Sequence, residues 1–143
     1  SVRLLPRFYW KGSMAYLNGR WTPSPAPVQC GNEDLNFNGV LDTGDNNVNM
    51  DGFLWPGQSA AFTLDNNGVT DSAGFVNLRV RHGQRFYFWA EYQIEARAAT
   101  AGSERLTTFD YRLSAAEADV TATASPGFRL SPFGQGIACT DPN

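Results

Sequence analysis

The segment from residue 31 to residue 58 constrains this chain more than any other. It is dense in Asn, Asp and Gly and has almost no apolar periodicity, so neither helix nor strand can be written through it. A loop of this length inside a compact chain needs something to hold it. Charge sharpens the need. Between Trp21 and Leu78 there are seven acids (Glu33, Asp34, Asp42, Asp45, Asp51, Asp65 and Asp71) and no Lys or Arg. Such a stretch repels itself unless it is spread into solvent or neutralised by a cation.

The spacing inside the loop points to the cation. From Asp34 onward, Asp34, Asn36, Asn38, Gly39, Val40, Asp42 and Asp45 fall at positions 1, 3, 5, 6, 7, 9 and 12 of a twelve-residue calcium loop, position 7 giving its backbone carbonyl. Alternate residues of a tightly curled chain point inward, the glycine permits the sharp bend, and the returning chain supplies the late ligands. Calcium is a hard ion that takes oxygen from carboxylates, amides and carbonyls, with no need of His or Cys. A second copy follows in Asn47, Asn49, Asp51, Gly52 and Phe53, with Trp55 where an oxygen ligand belongs. One or two Ca2+ ions are therefore expected, with Asp45 able to bridge the copies. Asp45 replaces the longer Glu at position 12, and Pro25, Pro27 and Pro56 leave no room for flanking helices. Asn and Asp also populate turns for reasons of their own, which leaves a solvated loop that binds nothing as the competing account.

The rest of the chain reads as β-structure. At 143 residues it is long enough for one ordinary domain with a full core. Fourteen Gly, eight Pro and abundant aromatics favour short strands and many turns. Arg3 to Leu17 reads as two strands joined at Lys11-Gly12, and Asn18-Gly19 is a hairpin turn. Trp21 to Val28 has Pro23, Pro25 and Pro27 at alternate positions, as an edge or connector does. Strands are expected over Ser59 to Leu64, Phe75 to Val80, Phe86 to Arg97, around Thr107 to Leu113, and over Val120 to Ala124, with a helical turn at Ser114 to Ala118. In the longest, Phe86, Phe88, Ala90, Tyr92, Ile94 and Ala96 are expected on the core face, and Tyr87, Trp89, Glu91, Gln93, Glu95 and Arg97 on the solvent face. The tail from residue 125 to residue 143 is rich in Pro and Gly and is anchored by Cys139 alone.

Several functions are disfavoured. A net charge of −3 gives no basic surface for nucleic acid, and no apolar run approaches the roughly 18 residues needed for membrane insertion. No GxSxG, HExxH or P-loop occurs, His82 reads as an exposed turn residue, and Glu91 and Glu95 read as a solvent face. An enzyme is therefore not expected. Cys30 and Cys139 have no metal-ligand spacing and are expected to form a disulfide, which suits an oxidising compartment. The start at Ser1-Val2-Arg3 suggests a mature chain or a fragment of something longer. Tyr87 and Trp89, if exposed, would stack on sugar rings, so a carbohydrate-binding module is the alternative function.

The loop resembles the calcium loops of thrombospondin type 3 repeats and dockerins. The phrase CGNEDLNFNGVLDTGD is similar to a Cys-flanked insert of large exported bacterial proteins built from immunoglobulin-like domains. TDSAGFVNLRVRHGQRFYFWAEYQIEARA resembles the central strands of those domains, a T-D-x-x-G turn preceding two core strands. The resemblance implies a single all-β, immunoglobulin-like β-sandwich over residues 1–143 with a calcium-binding loop insert at 31–58. It implies a structural or adhesive module, secreted or on the cell surface, whose partners are neighbouring domains of a larger chain, a surface ligand or carbohydrate.

Overall fold

A computed structural model describes residues 1–100, 102–120 and 124–143. Its main element is an antiparallel sheet of four strands in the order β4-β1-β7-β8, formed by β1 (Val2–Lys11), β4 (Val28–Gly31), β7 (Ala90–Thr100) and β8 (Ser103–Arg112). Two antiparallel hairpins accompany it, β2 (Met14–Leu17) with β3 (Arg20–Pro23) and β5 (Ala60–Leu64) with β6 (Leu78–His82). The all-β expectation therefore holds.

Local chemistry explains these elements. The β2–β3 turn is Asn18-Gly19, both residues at positive φ (52° and 81°), as a two-residue hairpin with right-handed strand twist requires. In β5–β6 the apolar residues alternate with exposed ones, so that Ala60, Phe62, Leu64, Leu78 and Val80 share the less exposed face. Ala60 is part of the core and Val80 packs against it. Pro6 has no N–H to give, and between Pro6 and Phe8 the β1–β7 register slips by one residue. The extra residue is Arg7, whose freed carbonyl accepts from the Asn32 N–H at 2.7 Å. That bond fixes where the long loop begins.

The long strand departs from its expected limits and faces. Residues Gln84–Phe86 form a 3₁₀ turn, and β7 starts only at Ala90. Phe88 sits at a φ of 68°, which breaks the period-two alternation just before the strand. As a result Trp89 turns inward with Ala90 and is fully buried, its Nε1–H donating to the Phe128 carbonyl at 2.7 Å. Tyr87 is buried too, its hydroxyl 2.9 Å from Asp119 Oδ2. Neither ring is on the solvent face where the alternation puts it. His82 is likewise no exposed turn residue: it ends β6, half-buried, with its ring edge-on to Tyr87 at 5.3 Å. Burial pushes its pKa down.

The tail does more than hang from a cysteine. Phe128 and Phe133 are core residues, Phe128 meeting Trp21, Tyr87 and Phe88, and Phe133 meeting Tyr9, Trp55 and Phe86. Cys30 and Cys139 are joined as expected, with Cα atoms 5.6 Å apart and a sequence separation of 109. Closing a loop of about this size is worth roughly 4–5 kcal/mol in the chain-entropy view. Lys11, the chain's single lysine, is fully buried and donates to the tail carbonyls of Asp141 and Ala138. The helical turn near Ser114 appears as a short helix, α1 (Glu117–Val120), and most of the strand expected over Val120 to Ala124 lies outside the described residues. Among the described residues, no helix is long and apolar enough to cross a membrane.

Candidate metal centre

Residues 32–58 lie outside every strand and helix and are held to the fold through a few side chains. Glu33 is the clasp. Its N–H donates to the Trp55 carbonyl at 2.9 Å, its carbonyl accepts from Asn46 at 2.9 Å, and its Oε2 accepts from the Trp55 N–H at 3.1 Å. Its Oε1 receives the Tyr9 hydroxyl at 2.6 Å. Burial raises the Glu33 carboxyl above its ordinary range, against the hydrogen bonds from Tyr9 and Trp55 that lower it. The Tyr9 hydroxyl is also pushed up, first by burial and then by its bond to Glu33. Sequence reasoning saw Glu33 only as one more acid.

The first copy of the spaced pattern folds as a set of turns closed by side-chain oxygens. Asp34 is buried and accepts from two backbone amides, Asn38 at 3.1 Å and Gly39 at 2.8 Å. The Asn36 and Asn38 oxygens accept from amides two residues ahead, at 2.9 and 2.6 Å. The amide nitrogens of both meet one carboxylate oxygen, Asp42 Oδ2, at 2.9 and 3.0 Å. Asp45 accepts from Leu35 at 3.1 Å and from Asp42 at 2.9 Å, tying the end of the copy to its start. Asp34, Asn36, Asn38, Asp42 and Asp45 are thus brought into one hydrogen-bonded network. The Gly44 amide, with Asn38 and Asn36, holds the exposed Asp42 carboxyl below its ordinary range.

The second copy repeats the backbone and changes the closure. Phe37 and Gly39 in the first copy lie at φ of 59° and 74°, and Met50 and Gly52 in the second lie at 54° and 82°. The chain thus enters the left-handed region at the same two steps of each copy, once at a side-chain-bearing residue that pays for it in strain. Asn49 and Asp51 repeat the first copy's turns, with Asp51 accepting from Phe53 at 2.8 Å. At the corner where the first copy places Asp42, the second places Trp55. Asp42 accepts from its position-five partner Asn38, whereas Trp55 Nε1 donates to its position-five partner Asp51 at 2.7 Å. The Trp55 ring stacks on Phe53 at 5.5 Å and meets Phe133 edge-on at 5.3 Å, joining the loop to the core.

The fit to a hard cation is one of donor type. Among the described residues, no group of three or more His, Cys, Asp or Glu side chains is gathered as a metal site, so Asp34, Asp42 and Asp45 share a hydrogen-bonded network without converging on one point. The Asn36 and Asn38 amides present nitrogen to Asp42, and a half-turn about the last side-chain bond would present oxygen instead. Asn47 Oδ1, the first donor of the second copy, is a buried acceptor that has no hydrogen-bond partner among the described residues. Asp34, Gly39, Gly52 and Phe53 line one cavity of about 240 Å³ between the copies. Val40 and Phe53 themselves are exposed.

No protein-family model, curated protein or solved structure matches the chain.

Proposed function

We propose that the chain is a calcium-stabilised structural or adhesive module of an exported bacterial surface protein, built as an immunoglobulin-like β-sandwich with the metal loop as an insert. The observation that carries this reading is the repeated backbone: two copies of one spacing turn left-handed at the same two steps, Phe37/Gly39 and Met50/Gly52. Composition alone explains many Asn and Asp turns and does not explain that recurrence. The orphaned Asn47 oxygen and the oxygen-only donor set support the same reading. The disulfide suits an oxidising compartment.

Asp34, Asn36, Asn38, the Val40 carbonyl, Asp42 and Asp45 would hold the first ion, and Asn47, Asn49, Asp51 and the Phe53 carbonyl a second. Calcium would supply positive charge to a segment that has no base of its own. This chain's residues do the rest: Glu33 pins the loop ends, Trp55 ties the second copy to Phe133, and the glycines bend the backbone. Metal bound only by the folded loop adds RT ln(1 + [Ca]/Kd) to stability. With affinities of about 0.1–1 mM, usual for extracellular modules, the gain at 10 mM calcium is about 1–3 kcal/mol.

Calorimetry in calcium and in EDTA tests this, the expected result being a melting temperature several degrees higher in calcium. Terbium provides a second readout, since Trp55 lies beside Asp51 and would sensitise its emission. An unchanged transition together with no terbium emission would sink the proposal.

A further inference from the structure

The two edges of the main sheet are treated differently. At one edge, β4 is four residues long, follows a Pro-rich connector and is stapled to the tail through Cys30. At the other, β8 has ten residues, and all but Tyr111 are exposed, Leu106 and Phe109 among them. Its register with β7 runs from Glu91↔Arg112 to Thr100↔Ser103 without a bulge. SERLTTFDYR contains no Pro, Gly or Lys. A long, regular edge without these devices is a template for another strand.

We infer that the β8 edge is a docking surface for β8 of a second copy of this chain, paired antiparallel about a two-fold axis at Thr108. Two backbone bonds show which groups are free. The Arg97 N–H bonds to the Ser1 carbonyl on the β1 side, and the Leu113 N–H bonds to the Ala90 carbonyl. Successive residues of a strand turn their N–H and C=O to opposite sides. Odd-numbered β8 residues therefore face β7, and Glu104, Leu106, Thr108, Asp110 and Arg112 point their backbone groups outward.

Charge selects the register. A two-fold axis normal to the sheet pairs only residues whose side chains share a face, so the axis passes through one residue. Centred on Thr108, Glu104, 3.8 Å from Arg97 in its own chain, faces Arg112 of the second copy twice over, and Arg105 faces Tyr111, a cation beside a ring. The Arg112 guanidinium, which donates through Nε to the Phe88 carbonyl over the Trp10 ring, still has its outer nitrogens for that pairing. Centred on Thr107, Glu104 faces Asp110 twice, so neither acid gains a base. Asp110 is already paired with Arg7 and Gln93, so it meets Leu106 of the second copy as a neutralised group. This association does not depend on the metal loop.

Sedimentation velocity over a concentration series tests the inference. The chain, of 15.7 kDa, is expected to approach twice that mass as concentration rises. Thr108→Pro removes an outward N–H and no β7 bond, so it should stay at the single mass while keeping the parent's far-ultraviolet dichroism. Under mild oxidation Thr108→Cys should cross-link between copies, and Leu106→Cys should cross-link far less. A parent chain that remains at the single mass at millimolar concentration overturns the proposal. So does a folded Thr108→Pro variant that doubles in mass as readily as the parent, or equal cross-linking at the two cysteine positions.

Discussion

The two copies of the loop pattern share a backbone and differ in what surrounds them. From Leu35 to Gly44 the first copy is exposed, and its polar groups bond mostly to one another. The second is built into the core: Asn49 is buried, and Asp51 holds an indole that packs on Phe133. The reversal at the closing corner states the difference in chemical terms. Asp42 is an acceptor that draws amide hydrogens inward, and Trp55 is a donor that satisfies Asp51. Spacing sets the local turns, whereas the neighbours decide whether a copy stands alone or serves as an anchor.

Breaking the anchor should have the largest effect. Trp55→Ala removes a half-buried ring, its bond to Asp51 and its contacts with Phe53 and Phe133. A loss of about 2–3 kcal/mol is expected in urea unfolding, with or without calcium, somewhat below the range for a fully buried Trp. A loss below about 0.5 kcal/mol would mean that the second copy is no anchor.

Acidity should separate the Glu33 clasp from the first copy by sign. Glu33, raised by burial, favours the folded state below the ordinary carboxylate pKa, and that contribution is lost as pH rises through its raised value. Asp42, lowered by Gly44, Asn38 and Asn36, favours folding above its ordinary pKa, and that contribution is lost as pH falls through its lowered value. Melting temperatures between pH 3 and 7 should therefore show Glu33→Gln gaining on the parent as pH rises and Asp42→Asn losing ground. Parallel curves for the two variants would refute the assignment.

The smallest intrinsic effect sharpens the metal reading. Asp42→Asn touches an exposed carboxylate and should change stability in EDTA less than either Trp55→Ala or Glu33→Gln. In calcium it should erase most of the rise in melting temperature. Retention of the full rise would remove the first copy from the site.

Much of the fold was legible because its signals are local. The Asn18-Gly19 hairpin and the absence of any period over residues 31–58 appear in the sequence as they do in the structure, the strand expected over Ser59 to Leu64 is found at Ala60–Leu64, and that expected over Phe75 to Val80 lies later, at Leu78–His82. The solvent face assigned to Tyr87 and Trp89 failed because one left-handed residue, Phe88, shifts the alternation, and no pattern of residue types announces a positive φ at a phenylalanine. The tail failed for a related reason: Phe128 and Phe133 are isolated aromatics among Pro and Gly, with no periodicity to mark them as core. In the loop the two recurring sets of turns could be read from the spacing of their Asn, Asp and Gly residues. Glu33 could not, because its role rests on Tyr9 in β1 and Trp55 at the far end of the loop.

Lys11 has a practical consequence. Because the chain's only ε-amino group is enclosed by tail carbonyls, amine-reactive dyes should not reach it while the tail is seated. Incorporation of label at Lys11, or cleavage after it by a lysine-specific protease, then becomes a clock for the release of the tail.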